Sequence, residues 1–71
     1  MDRVQVSSSS LASVGYDAES NVLEIEFNKG SIYQYFSVPS NVYSGLMSAQ
    51  SHGKYFDAYI KKAGYAFKRI N

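Results

Sequence analysis

Leu23, Ile25 and Phe27 alternate with Glu24 and Glu26, the two-residue period of a strand with one buried face. Asn28-Lys29-Gly30 reads as a turn in which Gly30 takes a positive φ without steric cost. Ser31–Phe36 is the returning strand, rich in sheet-favouring residues. A three-residue loop with a bulge at Gly30 sets Ile25 opposite Tyr33, Leu23 opposite Tyr35 and Glu24 opposite Gln34. A two-residue loop would leave Tyr33 and Tyr35 exposed beside Glu24 and Glu26. The first register suits both faces, and it makes the two tyrosines mainly core residues with hydroxyls at the rim.

The flanking segments follow the same logic. Leu11–Tyr16 is a first strand, and Asp17–Asn21 is a turn rich in side-chain acceptors. Residues 1–7 and the serines that follow have little to bury. They are expected to form a flexible lead-in that joins the sheet only from Ser9. Pro39 suits the first turn of a helix. Beyond it Val42, Tyr43, Leu46, Met47 and Ala49 share one helical face, and Gly45 inside the helix points to close packing. Gly53 is the expected stop. A second helix is expected over 54–62, with a buried stripe of Tyr55, Phe56, Tyr59 and Ile60 and with Lys54, Asp57 and Lys61 opposite. After Gly64, residues 65–70 alternate like a last strand.

The order β-β-β-α-α-β implies an α+β domain: a small antiparallel sheet with two helices packed on one face. Leu23, Ile25, Phe27, Leu46, Phe56 and Ile60 are its expected core. Seventy-one residues hold one such unit, taken as a single domain over 8–71.

Chemistry narrows the choices. The chain has no cysteine and one histidine, His52. Thiolate zinc sites, cysteine nucleophiles and a two-histidine metal site are therefore outside its means. His52, beside an expected helix end, reads as a capping or solvated residue. No serine sits in a Gly-x-Ser-x-Gly setting, and no glycine cluster forms a phosphate loop. Glu24 and Glu26 share a strand face, a spacing open to an acid–base pair or a hard cation, but they are read as the solvated face of an amphipathic strand. No enzyme activity, metal or cofactor is expected. No apolar run approaches the about 20 residues of a membrane helix; no membrane association and a cytoplasmic location are expected.

Charge adds a polarity. Residues 1–35 carry two basic and five acidic side chains, whereas 36–71 carry five basic and one acidic. Lys54, Lys61, Lys62, Lys68 and Arg69 interleave with Tyr55, Tyr59, Tyr65 and Phe67, the composition of a surface that takes phosphates on cations and bases on rings. A solvated helix face explains the same lysines. A protein contact through a sheet edge or an aromatic patch is also open, given seven tyrosines.

The ordered set Ser8–Asp17, Leu23-x-Ile25-x-Phe27, Gly30, Tyr33-x-Tyr35, Val38-Pro39, Val42-Tyr43 and Ser51-x-Gly53-x-Tyr55-Phe56, then Ile60, resembles the KTSC domain. That family is named for its occurrence at the C-terminus of some lysyl-tRNA synthetases, and it also occurs as small stand-alone bacterial and phage proteins. The chain departs from the pattern at Asp57, where members often carry Asn, and at Ala63–Ala66, which replaces a more basic tail. Through the synthetase attachment, the resemblance implies a link to RNA. On that reading Lys54, Lys61, Lys62, Lys68 and Arg69 contact phosphates. Any ring among Tyr33, Tyr35, Tyr55 and Tyr65 that reaches the surface then stacks on bases of a tRNA or single strand.

Overall fold

The hairpin read from the Leu23–Phe27 alternation is the centre of the sheet. In the computed structural model, which describes Met1 to Asn71, β1 (Val4–Gln5), β2 (Leu11–Asp17), β3 (Val22–Phe27), β4 (Ile32–Tyr35) and β5 (Phe67–Arg69) lie side by side in that order. Every neighbouring pair is antiparallel. Helices α1 (Ser40–Ser48) and α2 (His52–Tyr59), with a 3-10 turn at Lys61–Ala63, are inserted between β4 and β5. This is the α+β arrangement expected from the sequence, with one additional short strand at its start.

The hairpin register is the one set by a three-residue loop. Leu23 faces Tyr35, Glu24 faces Gln34 and Ile25 faces Tyr33. The Phe27 N–H donates to the Ser31 carbonyl at 2.9 Å, and the Gly30 N–H donates to the Phe27 carbonyl at 2.8 Å, with Gly30 at φ 100°. Between β2 and β3 the register shifts at Ala12. This bulge explains why Leu11 and Val14, three apart, both face the core while Ser13 faces away.

Leu11, Val14, Leu23, Ile25, Tyr35 and Val38 of the sheet side meet Leu46, Phe56 and Ile60 of the helical side in one cluster. Phe27, expected in the core, is only half-buried, because it stands at the hairpin end. Gly45 packs as expected: the Tyr55 side chain lies directly on it.

Several expectations are corrected. The chain joins the sheet before Ser9, since Val4 pairs with Val14 and Gln5 with Ser13. The serine run is also tied down: the Asn28 side-chain amide donates to the Ser8 carbonyl at 3.0 Å, and the Asn28 N–H to the Ser10 carbonyl at 2.9 Å. Gly53 is not a stop but the second residue of α2, whose N-cap is Ser51, its hydroxyl accepting from the Lys54 N–H at 3.2 Å. His52 links the helices by donating Nδ1–H to the Leu46 carbonyl at 2.8 Å. Helix α2 ends at Tyr59 rather than 62, because Ile60 leaves helical geometry at φ −121°. Tyr59, expected inside, is 59% exposed.

The face of the sheet away from the helices holds a further difference. Glu24, read as solvated, is only 4% exposed. Arg3 covers it as an ion pair, and Gln34 Nε2 donates to its other oxygen at 2.8 Å. Arg3 Nε also donates to Ser13 Oγ at 2.9 Å, which in turn donates to Glu26 at 2.7 Å. Gly15, paired with Glu24 across β2 and β3, makes room: a Cβ there would lie 2.7 Å from the Asp2 carbonyl oxygen. The missing side chain lets residues 1–3 cross the sheet and roof the carboxylate. At the other edge Asn71 holds the three-residue β5 in place. Its side chain accepts from the Ile32 N–H at 2.9 Å and donates to the Gly30 carbonyl at 2.7 Å.

Candidate functional site: an aromatic groove beside the last strand

Residues directly opposite in a sheet share a face. Tyr35 pairs with Phe67 and Tyr33 with Arg69, so all four project to the helix-bearing side. There β5 stands clear of α2, and a groove of about 530 Å³ opens between them. Its walls include Phe27, Tyr33, Tyr35, Phe56 and Phe67, and its charged groups are Asp57 and Lys61. A cavity of this size falls in the usual range for small-ligand sites.

The rings form a connected cluster. Phe56 meets Phe27 and Tyr35 edge-on at centroid separations of 5.4 and 5.5 Å. Phe67 lies across Tyr33 and Tyr35 at 5.9 and 5.6 Å. Tyr35 is the floor, at 6% exposure, whereas Phe67 is the outer lip, at 60%. Burial pushes the Tyr35 phenol above its ordinary value and the neighbouring Tyr33 adds to this, so the floor keeps a neutral hydroxyl at physiological pH. Past Ser10, Phe27 and Ser31 the groove runs on into a second hollow of about 260 Å³, edged by Asn28 and Lys29.

Of the sequence-derived candidates, Lys61, Tyr33 and Tyr35 come together in this groove, with Arg69 at its rim by register. The others lie apart. Lys54 is exposed on α2, and Lys62 is exposed on the 3-10 turn. Lys68 pairs with Gln34 and therefore shares the opposite face with Glu24. Tyr55 is half-buried over Gly45, and Tyr65 is packed against the core. Phe67, Asp57 and Lys29 are groove-edge residues that the sequence reading left out of the candidate set. The alternation Tyr65, Phe67, Arg69 carried a signal for the first, but its facing partner Tyr35 is more than 30 residues away.

The candidate acidic and histidine side chains are engaged outside the groove. Glu24 and Glu26 are engaged by Arg3, Gln34 and Ser13, and neither lines a cavity. His52 is spent on a helix carbonyl. No three His, Cys, Asp or Glu side chains gather as a metal set would. No helix is long and apolar enough to cross a membrane.

Comparison with known proteins places this geometry. An uncharacterised protein of Stutzerimonas stutzeri is 44% identical over 71 residues, the full length of both chains. A lysine–tRNA ligase of Nostoc punctiforme is 44% identical over 46 residues, 65% of this chain but only 8% of the ligase. The crystal structure of a KTSC domain protein from Yersinia pestis superposes with a TM-score of 0.91 at 41% identity, covering 99% of this chain and 97% of that one. The KTSC domain model matches residues 7–65, and with that match across most of its length the chain belongs to the KTSC domain family.

Proposed function

We propose that this protein is a non-catalytic domain that binds single-stranded RNA in the groove between β5 and α2. One observation carries the reading: the Phe67 ring, largely exposed, packs against Tyr33 and Tyr35, with Lys61 in the same groove and Arg69 on the same face of the sheet. Stacking an unpaired base on an aromatic face while cations take the adjacent phosphates is the general mode of single-strand binding. The continuation toward Lys29 gives the strand a further cation. The occurrence of related segments in lysine–tRNA ligases supports an RNA partner, with tRNA ends and loops as sources of unpaired bases. Such work belongs in the cytoplasm.

Only part of the basic set acts on this reading. Lys61 and Arg69 share the face of the rings, whereas Lys54, Lys62 and Lys68 supply long-range attraction. Measuring RNA affinity against salt separates these roles. Lys61→Glu is expected to weaken binding and to flatten the salt slope by about 0.7, one single-strand phosphate contact. Lys54→Glu is expected to change the slope less. Equal slopes for the parent and Lys61→Glu would remove the groove from the account.

A second reading rests on the outer edge of β5. Ala66 and Ile70 bond across to Phe36 and Ile32. By antiparallel alternation Phe67 and Arg69 then turn their N–H and C=O groups outward, an open edge on which another chain could add a strand. Mass by light scattering, rising with concentration, would favour this reading for a second copy of the chain.

A further inference from the structure

We infer that the groove selects an unpaired guanine, and that Asp57 is the residue that reads it; this deepens the RNA reading and rests on it. The argument begins with a pair that does not form. Asp57 and Lys61 are oppositely charged and four residues apart in the order that favours a helical ion pair, yet the one ion pair of the molecule is Arg3–Glu24. The cause is local. Helix α2 stops at Tyr59, and Ile60 turns the chain out of helical geometry, so Lys61 leaves the row that would carry it to Asp57. Both side chains are exposed, and both line the groove. The site therefore holds one carboxylate and one ammonium beside a wall of rings.

A carboxylate only accepts hydrogen bonds, and its two oxygens match two donors side by side. Guanine alone among the RNA bases offers that pattern on its pairing edge, from N1–H and the N2 amino group. Adenine and cytosine set a ring-nitrogen lone pair next to their amino group, and uracil flanks its single N–H with two carbonyls. Each of these turns at least one lone pair toward Asp57. With the base stacked on Phe67, Lys61 takes its phosphate and Asp57 takes its edge. Ser10 and Ser31, also in the groove wall, donate or accept by rotating a hydroxyl and discriminate little.

Fluorescence anisotropy at low salt, with labelled oligouridines of about ten nucleotides carrying a single central G, A, C or U, tests this. The G oligomer is expected to bind about tenfold tighter than the all-uridine one, the scale of one good bidentate contact. Asp57→Asn keeps the size of the side chain but presents one acceptor and one donor. It is expected to bring the G:U ratio close to one while leaving all-uridine binding as strong or stronger. Equal binding of all four oligomers by the parent, or a G preference that survives in Asp57→Asn, overturns the guanine assignment and leaves RNA binding standing. No binding of any oligomer overturns both.

Discussion

Tyr55 of α2 lies on the bare backbone of Gly45 in α1, so closely that a Cβ on Gly45 would stand 2.1 Å from the Tyr55 hydroxyl oxygen. Alanine is the better helix former by about 1 kcal/mol. The steric conflict is larger, because the ring must swing out and surrender its packing between the helices, an overpacking cost of about 1–3 kcal/mol. Gly45→Ala is therefore expected to lower the melting temperature by several degrees, at about 4–8 °C per kcal/mol for a domain of this size. A variant that melts above the parent would show that the helices do not meet there.

The roof over Glu24 makes stability depend on pH. Burial opposes ionisation of Glu24, but hydrogen bonds from Gln34 and Arg3 outweigh it and hold the carboxyl below its ordinary value of 4.5. A group with a depressed folded pKa contributes stability above its unfolded value and loses it as the pH falls through the folded one. Asp17, held low by the Ser20 hydroxyl and the Glu19 N–H, acts in the same direction. Urea unfolding is expected to show stability falling as pH drops below about 4.5. The fall should be shallower in Glu24→Gln. Arg3→Ala at neutral pH removes the charged partner of a buried carboxylate and is expected to cost about 2 kcal/mol. A parent and Glu24→Gln that decline alike would contradict the buried pair.

The contrast between that roof and the hairpin beneath it shows what the sequence makes legible. The β3–β4 register follows from local alternation and one glycine, information contained within fourteen residues, 22–35. The burial of Glu24 depends on Arg3, twenty-one residues earlier, and on a missing side chain at Gly15; nothing in the local pattern announces either. The α2 boundaries failed for a similar reason. Gly53 looks like a terminator by propensity, but Ser51 caps the helix from outside and Gly53 lies close to Ser10, 3.3 Å from a would-be Cβ to its Oγ. In the groove, Tyr33 and Tyr35 were visible as a pair on one strand. That Phe67 rather than Tyr55 or Tyr65 completes the surface follows from the β4–β5 pairing, a long-range contact. The basic residues were legible as composition and not as geometry, and the sheet sends Lys68 and Arg69 to opposite faces.

Phe67 separates binding from folding. Its ring is mostly exposed, so Phe67→Ala is expected to cost about 1 kcal/mol or less in stability. The same change removes a stacking surface worth about 1–3 kcal/mol per base, and so an affinity loss of roughly five- to a hundredfold is expected for single-stranded RNA. Parent-like affinity in a folded Phe67→Ala would place any RNA contact elsewhere.

An amide-shift NMR titration of the parent protein with a short single-stranded RNA, at low and moderate salt, tests the groove most directly. Saturable shifts are expected on β5, on residues 33–35 of β4 and from Asp57 to Lys61, weakening as salt rises. Shifts absent from these segments at both salts would contradict RNA binding in the groove.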